Sequence, residues 1–81
     1  MPIAHSPLVE RIARVLAGRA MSKNANGDEA SVSGEVDMCW PNYRDDAVAV
    51  LRELREPDPE MAQAGDAATW QKMVHAALDH K

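Results

Sequence analysis

The sequence has no phenylalanine, one tyrosine, two tryptophans and a single cysteine. Each scarcity excludes something. Cys39 alone can form neither an internal disulfide nor a cysteine-built metal cage, and such sparing use fits a reducing cytoplasm. Three aromatic side chains, Trp40, Tyr43 and Trp70, are too few for a base-stacking platform and read as core anchors. No apolar run approaches the roughly 20 residues that a bilayer span requires. Alternating β-branched stretches are missing, so no strand is expected. Also absent are a glycine-rich phosphate loop, zinc-ligand spacing and a serine-nucleophile elbow. The opening residues lack the basic-then-apolar pattern of a signal peptide, and the reading is a cytoplasmic protein.

What remains is helical. Apolar residues make up 46% of the 81 positions and charged residues 27%, which suits one domain spanning 1–81 rather than a disordered chain. Nine Lys and Arg stand against thirteen Asp and Glu, a formal charge of −4. An acidic domain repels phosphate backbones unless its charges segregate. About fifteen inward-pointing side chains, each worth roughly 1.5–3 kcal/mol on full burial, barely offset the ordering entropy of so short a chain. A homodimer is therefore a natural expectation.

Ser6-Pro7 opens a first helix over about 7–18, because Ser accepts from orphan N–H groups and Pro fits the first helical position. Leu8, Ile12, Val15 and Leu16 form its apolar stripe, and Gly18 is the expected stop. Residues 22–37, rich in Gly, Ser, Asn and Asp, read as a long polar loop, with Asn26-Gly27-Asp28 as its turn. Asn24, Asn26 and Asp28 imitate the start of a calcium loop, but Gly27 falls between the last two, and no metal is expected there.

The segment Trp40–Pro57 carries the best-bounded helix, over about 43–55. Asn42 is its expected N-cap; Tyr43, Ala47, Val50, Leu51 and Leu54 are its stripe; Pro57 forces the stop. Asp58-Pro59 starts a short linking helix over about 59–64, which Gly65 closes. Asp66 then caps a final helix over about 67–79, with Trp70, Met73, Val74, Ala77 and Leu78 on one face. The fold class follows: all-α, a small bundle of three main helices, one short linking helix and one long polar loop.

Little here supports chemistry. His75 and Asp79 are one turn apart and can meet, but their helical phase turns both to solvent, where a pair is a surface ion pair. His80 lies about 140° round the helix from His75, so the two do not converge on a metal. Cys39 is flanked by Asp37, Asp45 and Asp46, which oppose an activated thiolate. No catalytic residue, cofactor or metal ligand is assigned.

One run has a likeness. Trp40, Tyr43, Ala47, Arg55-Glu56-Pro57, Met61, Ala64-Gly65, Trp70, Met73 and Ala76-Ala77-Leu78 resemble a pattern shared by small helical proteins of alphaproteobacteria and their phages. It covers about half the chain; the first helix fits loosely and the long loop not at all. No activity is attached to that group, so the resemblance implies a bacterial, phage-related setting and nothing about chemistry.

The functional expectation is a non-enzymatic protein–protein interaction module, or a phage-related accessory protein. The alternative is a nucleic-acid-associated protein using the arginines of the first two helices. A third reading, small-molecule binding near Trp40 and Trp70, requires a pocket between them. The candidate contact residues are Arg44, Val48, Arg52 and Arg55, because Val48 falls outside the buried stripe with arginines one turn to either side. Arginine is enriched at interfaces and holds carboxylates bidentately.

Overall fold

Gly18, expected to end the first helix, lies inside it. In the computed structural model, which describes residues 6–24 and 29–80, α1 runs from Leu8 to Asn24. Its first turn closes when the Arg11 N–H donates to the Pro7 carbonyl at 3.1 Å. A glycine stops a helix only if the backbone turns left-handed there. Gly18 instead stays helical, where a second helix crosses it: a Cβ at this position would stand 3.7 Å from Val36 Cγ2.

That second helix, α2, spans Glu29–Cys39 and replaces most of the expected polar loop. Ser31, Ser33 and Gly34 are poor helix formers, and the apolar residues of this stretch follow no helical period, so local pattern gave no sign of it. Packing against α1 sustains it, as tertiary contact commonly does for helices this short. The turn signal Asn26-Gly27-Asp28, and with it two of the three residues that imitate a calcium loop, lies outside the described residues, while Asn24 ends α1.

A single 3-10 turn, Trp40–Tyr43, connects α2 directly to α3, Arg44–Leu54. Asn42 is therefore not an N-cap. It sits inside the 3-10 turn, and the Arg44 N–H is satisfied by the Pro41 carbonyl rather than by a capping side chain. At the other end Arg55 donates its N–H to the Leu51 carbonyl, two residues before Pro57. Then α4, Pro59–Ala64, is capped by Asp58, whose carboxylate accepts from the Met61 N–H at 2.9 Å. Last, α5 spans Ala67–Asp79, and the Asp66 carboxylate accepts from the N–H groups of Ala68 and Thr69 and from the Thr69 hydroxyl. Among the described residues every element is helical.

The core is built from small side chains. Val9, Ala13, Ala17, Ala47, Val48, Leu51 and Val74 are buried, and Leu8, Ile12, Leu16, Trp40, Tyr43, Trp70, Ala77 and Leu78 pack half-buried around them. In α1 the buried row is Val9–Ala13–Ala17 rather than the expected Leu8–Ile12–Leu16, which flanks it, while Val15 is 62% exposed. Hydropathy favours the larger residues, whereas the distance at which helices approach is set by the small ones. In α3 the buried arc is Ala47, Val48 and Leu51; Val50 and Leu54 turn partly outward. This helix is gripped by α1 on one side and α5 on the other, so its buried arc turns away from the single stripe its hydropathy suggests. The Cα radius of gyration is 14.8 Å, against about 12 Å for a compact chain of this length. Several apolar side chains, Met38, Met61 and Met73 among them, stay exposed.

Candidate functional site

The four residues picked out by sequence divide. Val48 is only 6% exposed and belongs to the core, so it is not an apolar spot on a contact surface. The shift of the α3 arc described above carries it inward. Arg44 and Arg52 do come together with it, along with Asp45, around a surface depression of about 390 Å³ with Val48 at its floor. Arg55 is exposed but does not line that depression.

Arg44 also has a structural task. Its Cζ lies 5.1 Å from the centroid of the Trp40 ring, and the Arg14 Cζ lies 5.4 Å from the same centroid. Arg14 in turn donates to Asp37 of α2 at 2.6 Å and to Glu10 of α1 at 3.0 Å. Those hydrogen bonds, Asp37 first and Glu10 second, push the Arg14 guanidinium further above its already high pKa. One indole thus stitches α1, α2 and α3 through cation–π contacts and a carboxylate bridge. Glu10 and Arg14 face this junction half-buried.

The more open apolar site is at the other tryptophan. Pro57 ends the α3 region, the six residues of α4 follow, and Gly65-Asp66 turns the chain directly into α5. So short a helix cannot cover the broad apolar face of α5. A groove of about 410 Å³ remains between them, walled by Pro57, Met61, Ala64, Trp70 and Met73, with Asp66 and Thr69 along the same rim. Met61 is 41% and Met73 63% exposed. Met73 was expected in the core beside Trp70. The row that meets α3 is instead Trp70, Val74, Ala77 and Leu78, and Met73 points past it.

Trp70 is held in place by its own chemistry. Its indole N–H donates to the Leu54 carbonyl at 2.6 Å, one of the last carbonyls of α3, which have no partner within the helix. The bond fixes the ring as a wall of the groove. Asp66 has a lowered pKa: the Thr69 hydroxyl first, then the Thr69 and Ala68 N–H groups, hold its carboxyl below its ordinary value. Flexible, polarisable methionines beside a fixed indole make a surface that adapts to different apolar side chains.

Other candidates hold less. Trp40 lines a crevice of about 180 Å³ with Pro7, Val9, Glu10, Arg44 and His80, apart from the groove at Trp70. His75 Nε2 and Asp79 Oδ2 are 3.6 Å apart with both side chains 66% exposed, a surface pair. Cys39 is a half-buried free thiol. Among the described residues no group of three or more His, Cys, Asp or Glu could share a metal ion, and no helix is long and apolar enough to cross a membrane.

A sequence signal for the groove existed. The apolar face of α5 is five residues wide, and the only helix adjacent to it in the chain is six residues long. Comparison of the chain with protein-family models, with curated proteins and with solved structures finds no match.

Proposed function

We propose that this chain is a non-enzymatic protein–protein interaction module that holds its partner in the α4–α5 groove. One observation carries the reading. Two methionines and a tryptophan line an uncovered apolar groove of about 410 Å³ in a chain otherwise too small to spare apolar surface. Exposed apolar patches rimmed by polar residues are a common mark of contact surfaces. The depression around Arg44 and Arg52 is more polar, and its one apolar residue is committed to the core.

The test is site-specific photocrosslinking in living cells that express the full chain. A photoreactive residue replaces Met73 in one variant and Gln71, exposed on the same helix outside the groove, in another. The expected result is a discrete protein adduct from position 73, lost on adding Met61→Glu, and none from position 71. Equal adducts from both positions, or none from 73, would overturn the proposal. The adduct's mass also separates a second copy of this chain from a different protein.

A further inference from the structure

Building on the α4–α5 groove as a protein-docking site, we infer that its occupant is a basic amphipathic helix from another protein. Three observations converge on that partner. The first is shape. A cavity of about 150 Å³ takes a benzene ring, so about 410 Å³ has room for two bulky side chains, the number one helix face presents at i and i+4.

The second is the recognition chemistry on offer. Adding a peptide strand needs an exposed sheet edge, and every described element here is helical. A proline-rich peptide needs an aromatic-lined groove, and Trp70 is the one aromatic residue lining this one. A phosphorylated or acidic peptide needs an arginine cluster, and no Arg or Lys lines it. Laying a helix into an apolar groove requires none of these.

The third is charge. Residues 56–71 contain Glu56, Asp58, Glu60 and Asp66 and no Lys, Arg or His; the first cation after them is Lys72. Asp66 lines the groove itself, and Glu60 is one turn from the lining residue Ala64; Lys72, one turn from the lining residue Thr69, is the single cation as near along its helix, so acidic groups still outnumber it. The whole chain carries −4. A helix with Lys or Arg flanking its apolar row is attracted to this rim, and an acidic one is repelled. This chain's own basic row, Arg11–Val15–Arg19 on α1, offers one valine where the groove has room for two large anchors. A second copy is thus a poor fit.

The experiment uses the full chain and two synthetic helical peptides of about 18 residues. Both carry leucine at the same positions of one face; one has lysine and the other glutamate at all remaining sites. Binding is measured by calorimetry at two salt concentrations, and its location by NMR shifts of the Trp70 indole N–H and the Met61 and Met73 methyls. The lysine peptide is expected to shift those signals and to bind at least about tenfold more tightly than the glutamate peptide, with affinity falling as salt rises. Glu60→Lys should weaken it roughly two- to fivefold, and Met73→Glu should remove the groove shifts. Equal binding of both peptides in the groove would overturn the basic partner while leaving the docking site intact. Binding of neither peptide, together with a position-73 adduct, would overturn the helical partner alone. No binding and no adduct would overturn both readings. Concentration-dependent dimerisation lost on Val15→Glu would assign the groove to a second copy and so refute the inference.

Discussion

Val48 and Val50 stand two residues apart on α3, and the structure gives them opposite environments. Val48 is 6% exposed and Val50 42%. Sequence patterning assigns them the other way round, so truncating each in turn measures which phase the helix adopts. Val→Ala removes the equivalent of two methylenes, about 1.6 kcal/mol at full burial. Nearly all of that applies at Val48 and roughly half at Val50. The helix-propensity gain of alanine over valine, about 0.5 kcal/mol, is the same at both and cancels in the comparison. At Val48 a cavity term is added, because Val9, Leu51 and Val74 in the same cluster relax only partly into the gap. Val48→Ala should therefore be less stable than Val50→Ala by about 1–1.5 kcal/mol. For a domain of this size that separates the melting temperatures by several degrees. Urea unfolding of the two variants, with slopes checked for equality, gives the difference directly. If Val50→Ala proves as destabilising as Val48→Ala, or more so, α3 is not turned as described, and Val48 returns to the surface as a contact residue.

Two further outcomes follow from the local structure. Gly18→Ala should stabilise the protein by about 0.5–1 kcal/mol, because the residue is mid-helix and a Cβ there meets Val36 at ordinary contact distance; a loss of stability in thermal melts would show that α2 lies closer to α1 than described. Asp66 should make part of the fold's stability acid-labile. Its folded pKa lies below the ordinary 3.8, so the unfolded chain takes up the proton first; the contribution is complete above that value and is lost as pH falls through the folded pKa. Melting temperature followed from pH 5 to 2 (on the order of that window) should fall less steeply in Asp66→Asn than in the parent, and parallel curves would refute the role of the cap.

Local chemistry was enough to determine much of this protein. The caps Asp58 and Asp66, the stop at Pro57 and the extents of α3, α4 and α5 are each decided within a few residues, by which N–H lacks a partner and which φ a proline ring forbids. The helical class followed from periodicity, and the surface pairing of His75 with Asp79 from their one-turn spacing. Tertiary structure decided the rest. Glu29–Cys39 is a helix because α1 is there to pack against, and its own residues carry no periodic signal. Helix faces were misjudged for the same reason. Hydropathy weights leucine above alanine, but the buried row of α1 runs along Val9, Ala13 and Ala17, and α3 turns Val48 inward because it is held from two sides. The groove is the clearest case. The shortness of α4 was legible in the sequence, but which residues of the apolar face of α5 would stay open was not: the docking of α5 on α3 holds Trp70 and leaves Met73 exposed. A residue's hydropathy states that it favours burial, and the distance to the next helix determines whether anything covers it.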